Sequence, residues 1–195
     1  MNFKEENKVD QKKNLPIRIV NIALIAVAII LYIYLFIDIR YAPVTTFLSL
    51  LANILNIMAL ASGLIYIAKG YKKNAAADYK IFMWLLVAAE VVDNTYIITL
   101  GGYSVINTVL ALLTVVLFTL LAGANDYGKK NTSFIIVALL VVRVINFILL
   151  LTLESNLGNL QTPVVIDNIG QIILADTAGF MVLGKYADKE ERGTK

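Results

Sequence analysis

Six apolar stretches alternate with short polar segments along this chain of 195 residues, at about 17–37, 44–68, 81–100, 103–121, 133–153 and 164–183. A bilayer's hydrocarbon core is about 30 Å thick and a helix rises about 1.5 Å per residue, so roughly 20 apolar residues suffice to cross it. The pattern predicts an all-α integral membrane protein with six transmembrane helices arranged as three hairpins. Residues 1–16 read as a polar tail ending in Pro16, which suits the first position of a helix, residues 17–184 as the transmembrane domain, and 185–195 as a charged tail. The first apolar stretch follows that polar tail and lacks a small-residue cleavage site, so it is expected to be retained as a helix.

Polar residues inside the stretches interrupt this pattern. Within Trp84–Leu100, the residues Glu90, Asp93 and Asn94 fall at i, i+3 and i+4 and share one helical face. A carboxylate near the bilayer centre costs roughly 2.5–3.5 kcal/mol even on lenient insertion scales, so two on one face require partners or water. The second stretch carries Thr45, Ser49, Asn53 and Asn56 as a polar stripe, and the fourth carries Asn107 and Thr114. The fifth carries Arg143 and Asn146 at i and i+3, and the sixth Asp167, Asn168, Gln171 and Asp176. In the first, Asn21 lies one turn inside, Arg18 snorkels to the near interface, and Tyr32 and Tyr34 are expected at the far interface. Gly63, Gly123, Gly170 and Gly179 are expected to permit close helix packing, and Trp84 to sit at an interface or in the core.

The charges of the connections sort the two sides of the membrane. Lys4, Lys8, Lys12 and Lys13 in the first tail, Lys69, Lys72, Lys73 and Lys80, then Lys129 and Lys130, and finally Lys185, Lys189, Arg192 and Lys195 all fall on one side, against Arg40 alone on the other. The positive-inside rule therefore places both termini in the cytoplasm and the protein in the cell membrane as a multi-pass chain. With that orientation, Glu90 and Arg143 each lie about nine or ten residues from the cytoplasmic start of their helices, near the midplane. Asp93 and Asn146 lie one turn further out. Asp167 and Asn107 lie roughly 5–6 Å below the external surface, Asn53 roughly 14 Å, and Asn56 and Asp176 roughly 18 Å. Polarity is thus weighted to the outer half, as an outward-facing cavity with a dry floor requires.

Composition removes several chemistries. The chain is 59% hydrophobic and 16% charged, with no cysteine and no histidine. Its mean hydropathy is +0.76. Disulfides, thiolate nucleophiles, imidazole bases and metal sites built on Cys or His are excluded, and neither cofactor nor metal is expected. The formal charge of +3 resides in loops and tails. Because no basic run is interleaved with aromatics, nucleic acid is not an expected partner. No Gly-rich phosphate loop, nucleophile turn or other energising or catalytic motif is present.

Of the intramembrane charges, Glu90, Asp93, Asp167 and Asp176 stand against Arg143. A lone guanidinium at the midplane is costly, so Arg143 is expected to clamp Glu90 or Asp93, with depth favouring Glu90. One carboxylate of the third stretch and Asp167 are then left to be protonated, hydrated or matched by a cationic ligand. Asp176, nine residues from Asp167, falls on the opposite face. A threefold repeat would align Tyr71, Tyr127 and Tyr186, spaced by 56 and 59 residues. It superposes Asn53 and Asn56 on Asn168 and Gln171, with Val109 and Leu112 in the fourth stretch.

In size, six-helix count, cytoplasmic termini and externally weighted polarity, the chain resembles the substrate-capturing membrane subunits of energy-coupling-factor vitamin transporters. Ala23, Ala26 and Ala28 depart from the Ala-x-x-x-Ala pattern of that family's first helix. The expected function is binding or transport of a small polar solute, cationic or zwitterionic, through an outward-facing pocket, alone or as the capture subunit of a larger transporter. Glu90, Asp93 and Asn94 would form its anionic face, Arg143 an organising counter-charge, and Asn53, Asn56, Asn107, Asn146, Asp167, Asn168 and Gln171 its lining. The expected partners are the lipid bilayer, a small-molecule or ion ligand and an energising membrane subunit. A second reading is a non-transport accessory or immunity protein whose buried polar groups only fasten helices. A third, less favoured, is a carboxylate-based intramembrane enzyme.

Overall fold

A computed structural model describes residues 15–39, 47–70, 76–99, 105–123, 128–157 and 162–193. These form six helices: α1 (Leu15–Ile39), α2 (Phe47–Ala68), α3 (Ala76–Thr99), α4 (Val105–Ala122), α5 (Gly128–Leu157) and α6 (Thr162–Gly193). The basic N-terminal tail, Arg40, Thr45, the Gly101-Gly102 reversal, Tyr71 and Tyr127 lie outside the described residues, as does the side chain of Asn107.

The helices outrun their apolar cores. α3 begins at Ala76, inside the expected basic loop, and α6 continues to Gly193 through the expected charged tail. The segment from Ala187 to Arg192 is rich in Ala, Lys, Glu and Arg, good helix formers, and nothing in it stops the helix before glycine. At the other extreme, α2 ends sharply: Gly70 adopts φ 69° and its amide donates to the Ile67 carbonyl at 2.9 Å. This left-handed cap turns the chain into α3. Across that turn Lys69 Nζ pairs with Asp78 Oδ2 at 2.5 Å, and Ser62 Oγ donates to the Asp78 carbonyl at 3.1 Å.

Four of the helices are long and apolar enough to cross a membrane, with spans at Leu15–Ile37, Phe47–Ala68, Lys130–Thr152 and Thr162–Tyr186. α4 has a shorter apolar run, Thr108–Ala122. The polarity of the surface and interior agrees with a membrane protein. Ile30, Phe134 and Val105 stand 66%, 75% and 81% exposed, whereas Asn21, Glu90, Thr114, Arg143 and Thr177 are buried. Water would punish this arrangement on both counts, while lipid favours the outside and forces the polar groups inward.

Each helix packs on its neighbours in sequence, and α6 closes against α1, so the packing traces a ring. The inward face of α1 is Asn21, Ile25, Ala28, Tyr32 and Leu35, at steps of three and four residues. Tyr32 is therefore not the interfacial residue its distance from the helix end implied; it is fully buried, while Tyr34 faces outward. Trp84 is also outward, half exposed.

One end of the ring is closed by tyrosines. Tyr79, near the start of α3, donates its hydroxyl to the Leu121 carbonyl at the end of α4 at 2.8 Å. Its ring lies 5.4 Å from that of Tyr66 on α2, and Lys185 Nζ of α6 sits 4.6 Å from the Tyr79 centroid. Thr132 of α5 and Tyr186 of α6 share a hydrogen bond of 2.9 Å. Five helices are thus tied at this end.

Candidate functional site

Along α3 the closed end gives way to a polar interior: Glu90 lies roughly 16 Å and Asp93 roughly 21 Å beyond Tyr79 at helical rise. The site is built on α3, α5 and α6. Arg143 of α5 forms a buried ion pair through Nη2 with Glu90 Oε1 of α3. Its Nη1 donates to Gln171 Oε1 of α6 at 2.7 Å. Phe118 of α4 faces the guanidinium, its ring centre 5.8 Å from Cζ, within cation–π range.

Gln171 carries the connection further. Its Nε2 donates to Asp93 Oδ2 of α3 at 3.0 Å and to Asp167 Oδ2, one turn back on α6, at 2.8 Å. The two accepting oxygens are therefore no more than 5.8 Å apart, the sum of those two bonds. Arginine only donates, so the amide oxygen must face Arg143 and both amide hydrogens must face the carboxylates. The result is a single chain of groups: Glu90, Arg143, Gln171, then Asp93 and Asp167 together.

Accessibility grades along this chain. Glu90, Arg143 and Gln171 are buried, whereas Asp93 and Asp167 are only partly so. The partly buried set also includes Asn94, Asn146 and Asn168. The first part of the network is a fastener: removing one member of a buried pair costs about 3–5 kcal/mol because the other is stranded. The second part holds two carboxylates, with no ion pair to either among the described residues.

The remaining sequence-predicted residues fall into two groups. Asn94 Nδ2 donates to the Glu90 carbonyl at 2.8 Å and Asn168 Nδ2 to the Val164 carbonyl at 2.9 Å, so each amide nitrogen is engaged on its own helix. Asn53 and Asn56 are buried on the inner face of α2. Among the described residues they and Asn146 take no part in the network. Asp176 is partly buried and also outside it.

Three participants were not foreseen: Tyr32, Phe118 and the central position of Gln171. The Tyr32 hydroxyl is fully buried, has no hydrogen-bond partner, and interacts electrostatically with Asp167, Arg143 and Asp93. It reaches this place because Gly170 has no side chain; a Cβ there would lie 3.2 Å from Tyr32 Cζ and 3.3 Å from its hydroxyl oxygen. The spacing of Asn21, Ile25, Ala28 and Tyr32 was the available signal. Arg143 Nε is likewise buried without a partner.

Fold and site together define a class: a helical membrane protein with a charged, hydrogen-bonded network across its interior. Compared with models of protein families, with curated proteins and with solved structures, the chain has no match.

Proposed function

We propose that this is a multi-pass protein of the cell membrane in which all six helices cross the bilayer and both termini are cytoplasmic, and that it binds or transports a small cationic or zwitterionic solute. The observation that carries this reading is the imbalance of charge in the network. Arg143 commits its terminal nitrogens to Glu90 and Gln171, leaving Asp93 and Asp167 with one shared amide. Two adjacent carboxylates in a poorly hydrated site attract a cation, and their partial exposure supplies access. The tyrosine-closed end, cytoplasmic by the charge of its loops, would form the floor. Active uptake would need an ion gradient or an energising partner subunit, since the chain itself offers no nucleotide-binding motif.

Asp93→Asn tests the reading, because the asparagine oxygen still accepts from Gln171 and the fold is retained. The variant is expected to melt within about 1 kcal/mol of the wild type. It should lose the stabilisation that a panel of amino acids, polyamines and quaternary amines gives the parent. The ion pair of Glu90 and Arg143 favours a second reading, in which the polar groups only fasten helices. Loss of folded Asp93→Asn protein, with no stabilising solute for the wild type, would select it.

A further inference from the structure

The Asp93 and Asp167 pair has a second property beyond attracting a solute. We infer that it is an exchange site for one monovalent cation, in which a single shared proton is the resident occupant and a cationic solute displaces it. Both oxygens accept from the same nitrogen, Gln171 Nε2, at 3.0 and 2.8 Å. Two ionised carboxylates this close repel strongly where water is scarce, as in sites where two acids hold one proton between them.

The neighbouring groups leave this imbalance in place. From α5, Arg143 is neutralised by Glu90 of α3. From α1, Tyr32 is the titratable side chain that faces the pair among the described residues. α2 carries a single titratable side chain, Tyr66, which is at the closed end, and α4 carries none. Three carboxylates against one guanidinium leave a charge of −2 if all are ionised. One proton on the pair reduces this to −1. A monovalent cation in place of the proton gives the same value, so the exchange is electroneutral at the site, the proton leaving to water.

A buried donor independently points to a ligand at this place. The Tyr32 hydroxyl has no hydrogen-bond partner, although it interacts electrostatically with both Asp167 and Asp93. A polar group buried without a partner costs about 1–3 kcal/mol, and a hydroxyl or carbonyl oxygen of a singly charged cationic solute would satisfy the tyrosine while its amine occupies the carboxylates. Among the described residues no group of three Asp, Glu, His or Cys side chains is placed to hold a metal ion. Two carboxylates suit a monovalent charge better than a divalent ion that demands six or more oxygens.

Infrared spectroscopy of the purified protein tests this. With carbon-13 aspartate incorporated, the wild type at neutral pH is expected to show one label-shifted band of a protonated carboxyl. That band should be lost or shifted in frequency in both Asp93→Asn and Asp167→Asn, since each removes one of the two acids that hold the proton. It should also decline on titration with sodium or methylammonium chloride. Absence of the band, a band unchanged in either variant, or its indifference to both salts would overturn the inference. The labelled wild type decides the first and last points even if a variant fails to fold. The inference rests on the solute-binding reading for its physiological cation, yet the outcomes separate. A proton cleared by methylammonium with no metabolite bound removes only the solute reading, and metabolite binding without a protonated band removes only the exchange.

Discussion

Gln171 shows how much one uncharged side chain can decide. Its amide is oriented by Arg143, and that orientation delivers both hydrogens to Asp93 and Asp167. Glu90 does the complementary work of neutralising the guanidinium. Glu90→Gln is expected to lower stability by about 3–5 kcal/mol, read as a fall in the melting temperature of detergent-solubilised protein. Adding Arg143→Met to that variant should restore part of the loss, because the stranded charge is then removed. At this scale the pairing of Glu90 with Arg143 was legible in the sequence, since the two residues lie at one depth and no other cation is near. The position of Gln171 was not legible. Whether its amide meets a carboxylate on α3 depends on how α6 is rotated against α3, and the spacing within one helix holds no such information. Tyr32 was misplaced for a related reason: distance from a helix end gives depth, but only the face gives burial.

The elements themselves were read more easily than their ends or their rotation. All six helices stand where apolar stretches predicted them, yet α6 runs ten residues beyond 183 because helix propensity continues where hydropathy stops. The suggested repeat does not carry through to packing. Asn53, Asn56 and Gln171 face inward, but their counterparts Val109 and Leu112 on α4 are 56% and 58% exposed, and Ala111, Thr114 and Phe118 face the interior instead. Close approach of α5 and α6 depends on Gly179, where an added Cβ would stand 2.8 Å from Ile136 Cγ2. Gly179→Ala is therefore expected to cost about 1–3 kcal/mol by overpacking, measured by thermal melting. In an Ile136→Ala background the same substitution should cost less, since the Cγ2 methyl that the new Cβ would meet is gone.

Across the whole molecule the two ends of the ring differ in kind. One is closed by Tyr66, Tyr79, Lys185 and the Thr132–Tyr186 bond, and the other half holds the carboxylate pair and its partly buried asparagines. In the proposed orientation the closed end, with its excess of Lys and Arg, is cytoplasmic. The site would then open outward, and solute would reach Asp93 and Asp167 from the external side. The absence of cysteine makes this directly measurable, because any single introduced thiol is the only one present. Single variants Asn168→Cys and Ala178→Cys, one partly buried beside the pair and one fully buried two to three turns further in, can be exposed to a membrane-impermeant thiol reagent in intact cells. Labelling of Asn168→Cys from outside, with none at Ala178→Cys, is the expected result. Labelling of Asn168→Cys only after the membrane is opened to the cytoplasmic side would contradict an outward-facing solute site.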